Sequence, residues 1–192
     1  QLMAAPLIVH EAAEAAADEQ NHVVLLHDFT FRDPAEILAD LKSGKGAHAH
    51  HAMPGMDMGN MDMNNMDMSQ MDMSQMASMA GMMLNDVTFD AYLANDRTLA
   101  DPEVVSVDKG SSLRLRIING AAASNMWIDL GALEGELIAV DGNAIYPMKG
   151  SVFPIAMAQR ADIRIAMPKE GGAFPVLFRP EGVKQRAGII LA

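Results

Sequence analysis

At 192 residues, half of them apolar, the chain is long enough for one well-cored domain plus additional segments. A net charge of −11 makes nucleic acid and anionic membrane surfaces poor partners, and no apolar run reaches the length of about eighteen residues that a membrane span needs. Cysteine is absent, which removes disulfides, thiolate-bound metals and thiol catalysis from this chain.

In chain order, Pro6-Leu7-Ile8-Val9 has the pattern of a short buried strand, and the Ala-rich stretch from Glu11 to Glu19 suits a turn or two of helix. No basic, apolar leader stands at Gln1, so a removed export signal or an internal piece of a longer protein is expected. His22 to His27 encloses Val23-Val24-Leu25-Leu26 and predicts a strand buried on both sides. A helix follows: Asp33 caps it, Pro34 takes the first position, Glu36 stands where a capping box wants it, and Ile37, Leu38 and Leu41 form its apolar stripe. Gly44 ends it.

From Ser43 to Met83 the composition shifts to Gly, Ala, His, Met, Asp and Asn, predicting a long disordered insertion. Thirteen of the eighteen methionines fall between Met53 and Met83. Met53 leads a pentapeptide repeat, Met56-Asp57-Met58, Met61-Asp62-Met63, Met66-Asp67-Met68 and Met71-Asp72-Met73, which Met76, Met79, Met82 and Met83 extend. Neither a period of 3.6 nor one of 2 is served, so no face is apolar and packing does not explain the pattern. What the spacing supplies is many soft thioether sulfurs on one tether, the donor type that Cu(I), or Ag(I), prefers. A thioether has no proton to lose and so binds in acid, and it is spared the oxidation that consumes thiolates. A polar spacer or an adaptable Met-rich binding surface is the plainer alternative. Just upstream, His48, His50 and His51 form a cluster suited to Cu(II) or Zn(II), or a solvated loop. His10, His22 and His27 are scattered and read as structural.

After Leu84 short strands alternate with turns. Candidates are Val87 to Tyr92, Val104 to Val107, Leu113 to Ile117, Asn125 to Leu130, Glu136 to Val140, Val152 to Ala156, Ala161 to Ala166, Phe174 to Phe178 and Gly188 to Leu191. In Leu113-Arg114-Leu115-Arg116-Ile117 the apolar residues should point inward and the arginines outward. Turns are predicted at Asp108-Lys109-Gly110, Asn119-Gly120, Asp141-Gly142-Asn143, Pro168 to Gly172 and Pro180 to Gly182. Strands at this spacing mean an antiparallel sandwich or barrel.

The order Arg114-Leu115-Arg116-Ile117-Ile118-Asn119-Gly120, Leu137-Ile138-Ala139-Val140-Asp141-Gly142, Pro147, and Met157-Ala158-Gln159-Arg160-Ala161-Asp162-Ile163 resembles the second cupredoxin domain of bacterial multicopper oxidases, in members with a Met-rich insertion. Ala158 stands where that family usually has Gly. The resemblance implies an all-β, cupredoxin-like Greek-key β-sandwich with one short helix and the Met-rich insertion. It implies residues 1–9 as the closing strand of a preceding cupredoxin domain and 10–42 as a connector strand and helix. Residues 43–83 would be the copper-binding insertion and 84–192 a copper-free domain. It also implies a periplasmic location, flanking cupredoxin domains as partners, and a parent reaction in which a substrate, plausibly Cu(I), is oxidised as dioxygen is reduced. The family's type 1 copper uses two histidines and a cysteine, and its trinuclear copper uses paired His-x-His motifs from other domains. From Met53 to Ala192 there is no histidine and no cysteine, so this chain alone is expected to bind copper and catalyse nothing.

Other conspicuous residues take structural readings. Asp141-Gly142 is a tight turn, Arg160 and Asp162 an ion pair or strand-edge contacts, and Trp127 a core plug, with a cation-π contact to Cu(I) beside Met126 as the alternative. Ser124 has no histidine near it to act as a base. Two rival functions remain: a free-standing periplasmic Cu(I)/Ag(I) buffering or delivery protein, and a structural interaction domain with a Met-rich spacer.

Overall fold

A computed structural model describes residues 4–10, 14, 17–43 and 87–192. The strands are β1 (Glu19–Phe29), β2 (Ala91–Ala94), β3 (Glu103–Val105), β4 (Ser112–Asn119), β5 (Met126–Asp129), β6 (Gly135–Val140), β7 (Asn143–Gly150), β8 (Val152–Ile155), β9 (Arg160–Ala166), β10 (Phe174–Pro180) and β11 (Ala187–Leu191). They form a six-stranded sheet in the order β2-β1-β4-β9-β6-β7 and a five-stranded sheet in the order β3-β11-β10-β5-β8. Most pairs are antiparallel as expected, but β1 runs parallel to β4 and β3 parallel to β11. The all-antiparallel expectation is therefore corrected to two mixed sheets.

Alternation builds the core between the sheets. Leu113, Leu115 and Ile117 of β4 and Ile163 and Ile165 of β9 point inward and are fully buried. Val176 and Phe178 of β10, Ile128 of β5 and Ile189 and Leu191 of β11 meet them from the other sheet. Each such side chain contributes about 1.5–3 kcal/mol by leaving water. The arginines of β4 point outward, as their alternation predicts. β1 is longer than its apolar centre, and Val24 to His27 are its buried residues.

Two turns carry specific backbone demands. Asp141 and Gly142 both have positive φ, 51° and 78°, and join β6 to β7 as a two-residue hairpin, the geometry that matches strand twist. Gly120 follows β4 and lies so close to β1 that an added Cβ would sit 3.1 Å from the Leu26 carbonyl and 3.3 Å from the His27 ring. Its N–H donates to that carbonyl at 2.9 Å, so the Asn119-Gly120 step docks β4 on β1.

Several expectations are revised. Residues 6–9 form no strand, and Leu7 and Val9 are more than four-fifths exposed. In the Glu11 to Glu19 stretch, Glu19 already belongs to β1. The strand expected from Val87 begins only at Ala91. β7 was not predicted at all. The helix α1 (Pro34–Lys42) forms as expected, with the Asp33 carboxylate accepting from the Ala35 N–H at 2.7 Å and Pro34 at its start. Its C-cap is Ser43. Of the described residues, 4–10, 14, 17–30 and 89–192 belong to one unit, and 31–43 with 87 and 88 to another.

Candidate functional site

All the predicted metal ligands lie outside the described residues: the tract from Met53 to Met83, and His48, His50 and His51. What the structure describes is the β-sandwich. Its polar chemistry is concentrated on the outer face of the six-stranded sheet and at one end of the core.

On the outer face, β4 and β9 place Arg114 opposite Arg164 and Arg116 opposite Asp162. Two guanidinium groups directly across a ladder repel unless carboxylates intervene. Here three do. Asp162 accepts from Arg114 at 2.6 and 2.9 Å, Glu19 of β1 pairs with Arg164, and Glu14 bridges both β4 arginines, accepting from Arg114 and from Arg116 at 2.7 Å each. Glu14 lies before β1, so the approach to the sandwich is tied to its central strands. Burial opposes charge on the Glu14 carboxyl, but hydrogen bonds from Arg116 and His10 and the positive charge of Arg116 and Arg114 prevail and hold it at about 2. The guanidinium of Arg114 is held more firmly protonated: burial works against its charge, and Asp162, Glu14 and Glu19 outweigh that.

The second polar group packs the end of the core. Asp28 of β1 accepts from the Ala122 N–H at 2.8 Å, the Ala123 N–H at 2.9 Å and the Ser124 hydroxyl at 3.0 Å. Asn119, fully buried, donates to the carbonyls of Ser124 and Ile155 and accepts from the Ala121 N–H. Tyr92, opposite Asp28 on β2, has its phenol pKa raised by burial and by the Asp28 charge, against a hydrogen bond with Ser124. Ser124 is thus a structural hydroxyl clamping the 121–124 loop. Sequence reasoning gave Asp28 no role, because its partners are 94 or more residues away.

Arg160 and Asp162 do not pair with each other. They share a face of β9, but Arg160 turns to Asp141 in the hairpin and Asp162 to the β4 arginines. Trp127 is not a core plug: it is 39% exposed on the outer face of the five-stranded sheet, whereas its neighbour Met126 is buried inward. The two point to opposite faces and cannot hold one ion together.

The residues present do not fit a type 1 copper centre. The chain has no cysteine. Among the described residues no group of three or more His, Asp or Glu converges as a metal site. His10 bonds to Glu14, His22 lies 3.4 Å from Glu103, and His27 is buried against Gly120.

Comparison with known proteins accords with this scaffold. The family model described as Multicopper oxidase matches residues 20–189. The chain is 29% identical over 107 residues to Multicopper oxidase MmcO of Mycobacterium tuberculosis, covering 56% of this chain and 21% of that protein. It is 25% identical over 165 residues to Copper resistance protein A of Pseudomonas syringae pv. tomato, covering 82% of this chain and 27% of that protein. The chain therefore spans only about a fifth to a quarter of these relatives. The crystal structure of the laccase from Botrytis aclada shares the fold, with a TM-score of 0.59 at 15% identity over 90% of this chain and 28% of that one. A sandwich of this topology, matched by that family model over nearly its whole length, places the chain in the multicopper oxidase family.

Proposed function

We propose that the chain is a copper-free middle domain of an exported multicopper oxidase serving copper tolerance, and that its methionine tract collects Cu(I) as substrate or cargo for that enzyme. One observation carries the reading: thirteen thioethers within thirty-one residues, in a chain of the multicopper oxidase family. Soft sulfur donors select a soft monovalent ion, and the interleaved aspartates add an attractive charge. The copper-resistance relative supports the tolerance role. A tract free of thiols suits an oxidising compartment such as the periplasm. The strand pattern of Pro6-Leu7-Ile8-Val9 supports the assignment of residues 1–9 to a preceding domain.

In this reading the sandwich positions its neighbours and the tract supplies copper to them. The tract ligands are Met53, Met56, Met58, Met61, Met63, Met66, Met68, Met71, Met73, Met76, Met79, Met82 and Met83, with His48, His50 and His51 as an upstream extension. The oxidase coppers and the oxygen chemistry belong to other domains, since this chain lacks their ligand set. The test is to replace every methionine from Met56 to Met76 by leucine. Cu(I) binding is expected to vanish while the β-sheet circular dichroism stays unchanged; retained binding would remove the tract from the account.

A further inference from the structure

One edge of the sandwich is closed by polar side chains. His22 of β1 stands in register with the fully buried Leu115, and Glu103 of β3 with the buried Ile189, so both point between the sheets. They come from different sheets: β3 ends the five-stranded one, and β1 lies one strand in from the end of the six-stranded one. The Nε2 of His22 is 3.4 Å from Glu103 Oε2. That nitrogen is buried and makes no hydrogen bond, so the pair is within reach but out of line. An unpaired buried ring nitrogen is costly and calls for a partner.

Asn95 orders the carboxylate. β2 pairs with β1 only from Leu26 to Phe29, and beyond it Asn95, with a φ of 49°, continues the pairing. Its N–H donates to the Leu25 carbonyl at 2.9 Å, its Oδ1 accepts from the Leu25 N–H at 2.8 Å, and its Nδ2 donates to the Val23 carbonyl at 2.9 Å. The same Nδ2 donates to Glu103 Oε2 at 2.7 Å. A side chain fixed on β1 thereby orients a carboxylate of β3, as outer partners orient metal ligands. The other oxygen, Oε1, makes no hydrogen bond among the described residues.

Imidazole nitrogen and carboxylate oxygen bind Zn(II) at about 2.0–2.2 Å, so at the tetrahedral angle the two donor atoms stand about 3.3–3.5 Å apart. The separation of Nε2 and Oε2 is 3.4 Å. Tetragonal Cu(II) would draw adjacent donors closer, to about 2.9 Å. The side chains of His22 and Glu103 are 20% and 31% exposed, which lets an ion enter and water fill its remaining positions.

We propose that His22 Nε2 and the Glu103 carboxylate form a solvent-open Zn(II) site that clasps the two sheets at their edge, with Asn95 as the positioning residue for the carboxylate. The site takes a borderline divalent ion through nitrogen and oxygen, whereas the thioethers select a soft monovalent one, so it stands independently of the Cu(I) reading.

The experiment is an NMR titration with Zn(II) of the whole 192-residue chain, labelled with nitrogen-15 at histidine and carrying His48→Gln, His50→Gln and His51→Gln to remove competing imidazoles. The His22 Nε2 resonance is expected to shift and that of His27 to stay. Glu103→Gln is expected to weaken the binding read from this shift at least about tenfold, with circular dichroism unchanged. Zn(II) is also expected to raise the thermal midpoint, since only the folded chain brings the two sheets together, and His22→Gln to remove that rise. An unmoved His22 resonance in excess Zn(II), a reading that needs no substitution in the site, or equal affinity in the Glu103→Gln chain would overturn the proposal. A His22 shift produced by Cu(II) and not by Zn(II) would overturn the assignment of the ion.

Discussion

Removing the charge of Glu14 should cost stability at neutral pH and nothing in strong acid. In the folded protein Glu14 accepts from Arg114 and Arg116 at 2.7 Å each and its carboxyl is held at about 2, against 4.5 for the free side chain. At about 1.4 kcal/mol per pH unit the difference corresponds to an upper limit of about 3.5 kcal/mol. Solvent contact at the sheet surface screens part of it, so Glu14→Gln should lose about 1–2 kcal/mol at pH 7. The sign follows from the lowered folded pKa. The stabilisation is complete above the unfolded value of 4.5, shrinks as the pH falls, and is gone below about 2. Urea unfolding followed by circular dichroism at pH 7, 4 and 2.5 measures it, and a double-mutant cycle with Arg116→Met isolates the pair. A gap between wild type and variant that stays constant down to pH 2.5, or no gap at pH 7, would refute the reasoning.

Three further outcomes are expected. Ala158 adopts φ of 60°, a left-handed conformation that costs an alanine about 1 kcal/mol or more, part of which glycine returns as unfolded-chain entropy. Ala158→Gly should therefore raise stability by about 0.5–1 kcal/mol, read as a higher urea midpoint; a lower midpoint would contradict the strain. Asp28→Ala removes the acceptor for two backbone N–H groups and one hydroxyl and should cost about 2–3 kcal/mol, with faster hydrogen exchange at residues 121–124. Unchanged exchange there would show that the carboxylate does not hold the loop. Cu(I) binding should vary little between about pH 7 and 4, because imidazole titrates in that window and thioether does not; a steep acid loss would move the site to His48, His50 and His51.

The sandwich was legible wherever burial is one-sided. Strand β4 alternates Leu, Arg, Leu, Arg, Ile because one face meets the core and the other the carboxylates, and that contrast is written in sequence. Strand β7 escaped notice because most of its residues, Tyr146 and Met148 included, are exposed on both faces; no burial imprints a period, and Pro147 argues against a strand except at an edge. The parallel pairing of β1 with β4 was unreadable because register between distant strands leaves no local pattern. Pro6 to Val9 is an apolar run that this sandwich leaves exposed, because a local pattern gives a strand's periodicity and not the sheet it joins. Trp127 was misplaced by parity, since a shift of one position along β5 exchanges core for surface. At Ala158, which stands where the resembled family usually has Gly, the positive φ supplies the reason glycine suits that position.

The central claim, that the methionine tract takes up Cu(I), is met most directly by anaerobic titration of the chain against a coloured Cu(I) chelator, beside the same chain lacking Gly55 to Gly81. The account predicts that the intact chain withdraws several equivalents of copper and the deleted chain few or none. Equal withdrawal by both, or none by either, would contradict it and leave the methionines a spacer.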